Sequence, residues 1–351
     1  ARFPFTKGRV VPVESEHSAM AVSIGASLAG ARAFTASSSN GLAYMAENIM
    51  VAGYYRLPIV MVAVNRTLGP PWNIWADQGD TLMLRDFAWL QFYCETSQEV
   101  LDTTLLAFRL AEDHRILLPV LTCMDAFIVS HTQTETILPE QEQVDSYLPD
   151  LDLPHRIRYD EARTIGGMSW PHEGLSQRLE IDEAMKRVPD VYQECRQNFT
   201  EAFGRDPGDV IQTIGTDDAE MVLVATGTMA TTAREVVRKR RAAGEKVGLV
   251  KLKMFRPFPA AALRKACGSA KRVAVLDRNY AAGSGGVFWQ DTCAAFQGHR
   301  NDVLIQNYLT GLCGEDVTPS VIDQILADLA SREAAGDPVW MGIKTGKETL
   351  Q

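Results

Sequence analysis

The sequence has 351 residues, of which 46% are hydrophobic, and a formal net charge of -9 with an isoelectric point near 5.3. This length allows about two domains with substantial cores, and the acidic balance argues against a nucleic-acid-binding protein, which needs clustered lysine and arginine. No stretch reaches the ~18 to 20 apolar residues of a membrane span, and the amino-terminal stretch ARFPFTKGRV lacks the apolar core of a signal peptide, so we expect a cytoplasmic protein.

Residues 9–132 alternate strand-like and helical patterns, which in chain order are VVPVE, SAMAVSIGASLAGA, RAFTAS, GLAYMAENIMVAGYY, LPIVMVAVN, QEVLDTTLLAFRLAEDH and LPVLTCMDAF. This alternation predicts a parallel sheet with crossover helices. Runs such as IVMVAV suit strands that are buried on both faces. The sequence therefore predicts a first α/β domain over residues 1–132.

Residues 133–206 are rich in acids and prolines and contain one helical stretch, LEIDEAMKRVPDVYQECRQNFTEAF. This composition predicts an extended connection with a helix at its end. Strand and helix patterns then return as EMVLVAT, TTAREVVRKRRAAG, VGLVKLKMF, PAAALRKAC, RVAVLDRN, GVFWQDTCAAF, VLIQNYL and PSVIDQILADLASREA. They predict a second, smaller α/β domain over residues 207–351.

The six cysteines are scattered along the chain without a C-x-x-C pair. Zinc sites and iron–sulfur clusters use closely spaced cysteines, so the sequence predicts neither in this chain. We expect reduced, largely buried thiols. Any redox centre would then lie on another chain.

Two carboxylates, Glu14 and Glu16, lie where the first predicted strand passes into a helix of small residues. In parallel α/β sheets, ligands bind beyond the carboxyl ends of the strands, where helix amino termini point their N–H groups. Glu16 occupies such a place. The structural alternative is that Ser15 caps the helix while Glu16 complements the helix dipole, which stabilises by about 0.3 to 1 kcal/mol.

A second candidate loop, TASSSNGL, follows the strand RAFTAS. Its polar and flexible members are Ser38, Ser39, Asn40 and Gly41. Hydroxyl groups and a closely approaching backbone can bind a polar ligand, although the same residues also suit an ordinary capped turn.

A third candidate region begins at Arg66, directly after the strand LPIVMVAVN. Arginine can bind a carboxylate through two parallel hydrogen bonds, or it can pair with an acid at the rim of the sheet. The residues that follow, LGPPWNIWAD, hold Trp72 beside two prolines that stiffen the chain.

Several of these stretches together resemble the alpha subunit of the 2-oxoacid:ferredoxin oxidoreductases, the pyruvate:ferredoxin oxidoreductase family. They are VPVESEHSAM, IGASLAGAR, FTASSSNGL, LPIVMVAVNR, NIWAD and AEDHRILLPVLTCMDAFIVSHT, followed in the second domain by ATGTM, LVKLKMFRPFP and VAVLDRN before GSGG. The resemblance implies a pyrimidine-type thiamine-diphosphate-binding domain followed by a domain like the carboxyl-terminal domain of transketolase. It also implies that the given sequence is amino-terminally incomplete and begins after a substrate-contacting loop of the family.

The resemblance assigns roles to the candidate residues. Glu16 matches the glutamate that bonds N1′ of the thiamine aminopyrimidine and so promotes removal of the proton from the thiazolium C2. The loop of Ser38, Ser39, Asn40 and Gly41 would adjoin the cofactor, and Arg66 would contact the substrate carboxylate. Because burial raises the pKa of a carboxylate and favours proton sharing with a ring nitrogen, we expect Glu16 in a poorly solvated niche.

Two departures from the family pattern concern the substrate. The usual S-S-Q-G is S-S-N-G here, at Asn40, and the loop GPPW replaces a plainer one. Trp72 could stack on an aryl group such as that of phenylglyoxylate, could occlude the acyl side so that only pyruvate or oxalate fits, or could pack against a partner chain.

A missing motif indicates partners. Thiamine enzymes hold the diphosphate and Mg²⁺ through a G-D-G stretch with hard oxygen ligands, and the sequence contains GDT, GDV and GDP but no GDG. We therefore expect a beta subunit that carries the diphosphate and Mg²⁺ site, iron–sulfur subunits and a gamma-type subunit, assembled as a dimer of heteromers.

The resemblance and the missing G-D-G motif favour a 2-oxoacid oxidoreductase of anaerobic metabolism. In this enzyme, the chain would be an alpha subunit that shares thiamine diphosphate with a partner. The enzyme would decarboxylate a 2-oxoacid, transfer the acyl group to coenzyme A and send electrons through partner clusters to ferredoxin or to NAD. The alternatives are an oxalate-type enzyme without coenzyme A, a transketolase-like ligase half and a catalytically silent scaffold subunit.

Overall fold

The computed structural model describes residues 8–343, which form two largely parallel sheets with flanking helices. The strands are β1 (Phe34–Ser37), β2 (Val60–Asn65), β3 (Leu90–Cys94), β4 (Val120–Asp125), β5 (Ile211–Ile214), β6 (Met221–Ala225), β7 (Val247–Leu252), β8 (Met254–Arg256), β9 (Arg272–Asp277), β10 (Leu304–Leu309) and β11 (Val339–Trp340). The helices are α1 (Glu16–Leu28), α2 (Asn40–Tyr44), α3 (Ala46–Tyr54), α4 (Gly79–Leu82), α5 (Ser97–Glu112), α6 (Gln141–Tyr147), α7 (Pro171–Phe203), α8 (Gly227–Ala242), α9 (Ala260–Ala266), α10 (Val287–Phe296) and α11 (Pro319–Ser331).

The first sheet has the strand order β1-β2-β4-β3-β8, and its first four strands are parallel. All residues of β3 are buried, as are most of β2 and β4, which is the pattern of strands covered by helices on both faces. The last strand, β8, runs antiparallel to β3 and comes from residues 254–256. The region predicted as the second domain therefore also contributes an edge strand to the first sheet.

The second sheet has the order β11-β10-β9-β6-β7-β5 and is parallel except for the pair β5 and β7. Between the two sheets, the chain from residue 133 to 206 contains the short helix α6 and the long helix α7. Helix α7 begins at Pro171 and includes the whole predicted helical stretch. Its buried side chains pack on the first sheet, where Tyr192 stacks on Phe92 with ring centroids 5.6 Å apart.

The predicted first strand, VVPVE, is wrong. Residues 8–13 have no regular secondary structure, and Val10 and Val11 are more than half exposed. A strand needs a hydrogen-bonded neighbour, and the first sheet begins at β1 without one for this segment. Pro12 also removes one backbone donor. Apolar content alone was therefore an insufficient indication of a strand here.

The expectations about membrane spans and cysteines concern residues that the structure describes. Over residues 8–343, no helix is long and apolar enough to cross a bilayer. The six cysteines are free thiols, and four of them are buried: Cys94, Cys123, Cys195 and Cys267.

Candidate active site

Glu16 is the first residue of α1. Its neighbour Ser15 caps this helix, as the structural alternative expected. The Ser15 hydroxyl accepts a hydrogen bond from the Ser18 backbone N–H at 3.3 Å, which caps the helix. Glu14 accepts a hydrogen bond from the Ser18 hydroxyl, and this bond lowers the pKa of the Glu14 carboxyl. Glu14 is thus occupied by contacts within its own helix turn.

The Glu16 side chain instead lies against Gly41 at the start of α2. A Cβ added at Gly41 would be 3.0 Å from Glu16 Cγ, 3.1 Å from Glu16 Oε1 and 2.5 Å from Ser37 Oγ. Only glycine therefore allows the loop after β1 to approach Glu16 this closely. The structure brings together two of the predicted residues that are 25 positions apart in the sequence.

Glu16 does not occupy the poorly solvated niche expected of it. It is exposed, and its carboxylate forms no hydrogen bond with any residue between 8 and 343. In the first turn of α1, His17 and Ser18 are half-buried, whereas Glu16 is left exposed by residues 8–343. Residues 8–343 therefore do not desolvate the Glu16 carboxylate.

The loops after β1 and β2 are joined by direct hydrogen bonds. The Ser39 hydroxyl donates to the Thr67 carbonyl at 2.5 Å, and Asn40 Oδ1 accepts from the Gly69 N–H at 3.2 Å. Ser39 is buried and has a φ of 52°, a left-handed conformation that is strained for a residue with a side chain. Asn40, one of the departures from the family pattern, thus holds the start of the GPPW loop. Ser38 contributes its carbonyl, which accepts from the Gly41 N–H at 3.0 Å.

Arg66 directly follows β2, and its side chain is half-buried. The Nε of its guanidinium is buried without a hydrogen-bond partner among the described residues. Buried donors are normally satisfied, so this atom favours an acceptor that residues 8–343 do not supply. No hydrogen bond links the Arg66 side chain to Glu16 or Trp72 within residues 8–343.

Trp72 is 75% exposed and packs on Gly69, where an added Cβ would be 2.5 Å from Trp72 Cε3. The ring therefore lies on the same loop that Asn40 holds. Trp72 thus lies close to the candidate loop of Asn40, and its ring is exposed to solvent.

Asp80, in the first turn of α4, is a residue that the sequence interpretation missed. It is fully buried and accepts four hydrogen bonds, from the Ser39 and Arg66 backbone N–H groups at 2.9 and 3.0 Å, from Asn65 Nδ2 at 2.8 Å and from the Thr81 N–H at 2.9 Å. Burial raises the pKa of the Asp80 carboxyl to about 7. No sequence pattern marks Asp80, because its hydrogen-bond donors come from separate segments of the chain.

Residues from the second sheet hold the segment that leads into α4. The Gln78 N–H donates to the Arg278 carbonyl at 2.8 Å, and the Thr226 hydroxyl donates to Gln78 Oε1 at 3.0 Å. Asp77 accepts from the Cys313 N–H at 3.2 Å. The second sheet therefore contributes to the position of the candidate site.

A buried ion pair reinforces this contact between the sheets. Asp125, at the end of β4, lies 3.2 Å from the Arg278 guanidinium and accepts from the Thr228 N–H at 2.8 Å. It also accepts from Gln78 Nε2 at 3.1 Å. The pair is almost fully buried, and loss of one partner would leave an uncompensated charge.

Two family models match the chain. Residues 2–205 match the family described as pyruvate flavodoxin/ferredoxin oxidoreductase, thiamine diphosphate-binding. Residues 219–322 match pyruvate:ferredoxin oxidoreductase core domain II. The chain belongs to the pyruvate:ferredoxin oxidoreductase family.

Relatives across most of the chain agree with this membership. The chain is 39% identical over 342 residues to pyruvate synthase subunit PorA of Methanothermobacter thermautotrophicus, covering 97% of this chain and 88% of the relative. It is 40% identical over 320 residues to ketoisovalerate oxidoreductase subunit VorA of Pyrococcus abyssi, covering 91% and 80%. The resemblance to alpha subunits of this oxidoreductase family is confirmed.

A solved structure supports the fold. It is the 2-oxoglutarate:ferredoxin oxidoreductase from Magnetococcus marinus with 2-oxoglutarate, coenzyme A and succinyl-CoA bound, with a TM-score of 0.67 at 18% identity. The match covers 92% of this chain and 57% of that one. The predicted α/β fold with a thiamine-diphosphate-binding-type domain is confirmed.

Proposed function

We propose that the chain is the alpha subunit of a complex that oxidatively decarboxylates a 2-oxoacid with thiamine diphosphate. The acyl group passes to coenzyme A, and two electrons pass to iron–sulfur clusters on partner subunits. The contact between Glu16 and Gly41 carries the proposal, because it holds an exposed carboxylate at a fixed place with both oxygens available to a ligand.

Thiamine diphosphate, when bound, supplies the nucleophilic carbon and the electron sink for decarboxylation. Glu16 would hold the aminopyrimidine side of the cofactor and would share a proton with its ring nitrogen N1′. The residues present fit this role, since Glu16 forms no hydrogen bond with any residue between 8 and 343 that would compete for its oxygens.

Arg66 binds the carboxylate of the 2-oxoacid. Its buried Nε lacks a partner among the described residues, and a carboxylate would satisfy it through a charge-assisted bond. The relatives named for pyruvate and for ketoisovalerate are almost equally similar to the chain, at 39% and 40% identity. We therefore propose a small or branched aliphatic 2-oxoacid as substrate.

A beta subunit supplies the diphosphate and Mg²⁺ site and covers Glu16. In the part of the chain that the structure describes, no group of three or more histidine, cysteine or acidic side chains is arranged to hold a metal ion. Large apolar side chains near the site are exposed: Val10, Val11, Val13, Tyr44, Trp72, Ile74 and Trp75. Exposed apolar surface of this kind suits a partner chain. Iron–sulfur and gamma-type subunits complete the complex, which would be a dimer of heteromers.

The test is to express the chain with and without its partner subunits. We expect the complex to reduce a viologen dye with a 2-oxoacid, coenzyme A and thiamine diphosphate all required, and the chain alone to bind no thiamine diphosphate by calorimetry with Mg²⁺ present. Absence of 2-oxoacid-dependent reduction by a complex with intact clusters would contradict the proposed reaction. Tight stoichiometric binding by the chain alone would contradict the shared site.

A further inference from the structure

One carboxylate spans the two loops of the candidate active site. Asp80 Oδ2 accepts from the Ser39 N–H at 2.9 Å and from the Arg66 N–H at 3.0 Å. Ser39 belongs to the loop after β1, and Arg66 belongs to the loop after β2. The shared oxygen fixes the spacing between the two backbones.

The acceptor capacity of Asp80 is fully used. Oδ1 accepts from Asn65 Nδ2 at 2.8 Å and from the Thr81 N–H at 2.9 Å, so each oxygen receives two donors, which is about the number a carboxylate oxygen can accept. The side chain is 0% exposed, and water cannot take over these bonds. Any replacement that turns one oxygen into an N–H donor would place it against two N–H groups.

Asp80 is itself attached to a rigid base. It lies in α4, and the residue before that helix, Gln78, is bonded to Arg278 and Thr226 of the second sheet. On the other side, the Thr81 hydroxyl lies 2.8 Å from the Tyr93 hydroxyl of β3. Asp80 therefore connects the ends of the two loops to buried strands and helices that have few alternative positions.

We propose that Asp80 is a positioning residue that sets the place of Arg66, and through it the binding of the substrate carboxylate. The predicted effect on KM rests on the proposed function. The predicted effect on the Ser39 and Arg66 backbones rests on the hydrogen bonds alone. Asp80 contacts neither substrate nor cofactor in this scheme.

The test uses Asp80→Asn in the complex purified with its partner subunits. Asparagine keeps the shape of the side chain but must direct its amide at one donor pair. We expect KM for the 2-oxoacid to rise about 10- to 100-fold, since a displacement of about 1 Å at a binding group can cost about 100-fold. The matched control is Asp277→Asn, because Asp277 is also fully buried at a strand end and accepts from Asn279, Phe288, Trp289 and Asn307. This control should leave KM unchanged.

A double-mutant cycle separates positioning from general damage. If Asp80 acts through Arg66, Asp80→Asn should change KM by less than about threefold when Arg66→Met is already present. Equal factors in both backgrounds, or an unchanged KM in Asp80→Asn alone, would overturn the proposal. If Asp80→Asn fails to assemble, Asp80→Glu enters the same cycle, because it keeps both acceptor oxygens and moves them by one methylene.

Hydrogen exchange tests the geometry independently of the reaction. Asp80→Asn should speed exchange of the Ser39 and Arg66 amides, whereas Asp277→Asn should speed exchange of the Phe288 and Trp289 amides. Selective acceleration supports the positioning role even if the wild-type complex oxidises no 2-oxoacid, in which case only the proposed function fails. Unchanged exchange at Ser39 and Arg66 overturns the positioning role itself.

Discussion

Gly41→Ala tests the placement of Glu16 without changing its chemistry. The new Cβ would lie 2.5 Å from Ser37 Oγ, 3.0 Å from Glu16 Cγ and 3.1 Å from Glu16 Oε1, all below the 3.4 Å at which ordinary contact begins. The Ser37 hydroxyl can rotate away, but Glu16 must shift by a few tenths of an ångström. Since about 1 Å of misplacement can cost about 100-fold in rate, we expect kcat to fall about tenfold.

The assay is steady-state 2-oxoacid oxidation by the purified complex, with thiamine content measured on the same sample. Alanine favours a helix over glycine by about 1 kcal/mol, so the variant should not lose stability through helix propensity. Gly25→Ala in α1 is the matched control, because an added Cβ there meets no atom of residues 8–343 within 4 Å, and its kcat should equal that of the wild type. A Gly41→Ala complex with full thiamine content and normal kcat would refute the argument that this contact positions Glu16.

Three further predictions concern the substrate and stability. Arg66→Met should raise KM for every 2-oxoacid by a similar factor, about 10- to 150-fold for the loss of a charge-assisted bond worth about 1.5 to 3 kcal/mol; a changed order of substrates would contradict this. Trp72→Ala should raise kcat/KM for ketoisovalerate and phenylglyoxylate relative to pyruvate if the ring limits the acyl side, and an unchanged ratio would remove Trp72 from the site. Burial raises the pKa of the Asp277 carboxyl to about 7, so the native state binds its proton more tightly than the unfolded chain. The contribution of this proton to the free energy of unfolding is fully present below the unfolded pKa near 4. It is lost as the pH rises to about 7, by at most about 1.4 kcal/mol per pH unit. Asp277→Asn should therefore flatten the fall in unfolding free energy between pH 5 and 7 in urea titrations, and parallel curves would contradict it.

The alternating patterns of the sequence predicted most of the parallel strands and crossover helices, because buried strands such as VMVAVN leave a nearly continuous apolar run. They failed where an element depends on its neighbours. VVPVE has strand-like residues but no adjacent strand, and VGLVKLKMF divides into β7 and β8, which join different sheets. Pairing partners of this kind are properties of the tertiary fold, and local periodicity carries no information on them.

The candidate site was partly predictable for a similar reason. Positions after β1 and β2 indicated Asn40 and Arg66, since parallel sheets collect functional residues at that edge. Glu16 was singled out on the expectation of a preceding strand, VVPVE, which the structure lacks, and by the family resemblance. Asp80 was not predicted because its importance lies in donors from three separate segments, which no spacing in the sequence reveals. The exposure of Glu16 was also unexpected, because the cofactor chemistry suggested a desolvated group while residues 8–343 leave this side chain exposed.

The most direct test of the central claim is the turnover of Glu16→Gln in the assembled complex. Glutamine keeps the size of the side chain but cannot share a carboxyl proton, so we expect kcat to fall by about 10² to 10⁴ with thiamine content and KM for the 2-oxoacid unchanged. Glu14→Gln is the control, because Glu14, which precedes α1, accepts a hydrogen bond from the Ser18 hydroxyl of that helix, and its kcat should remain close to that of the wild type. Near-normal turnover by Glu16→Gln would contradict the account.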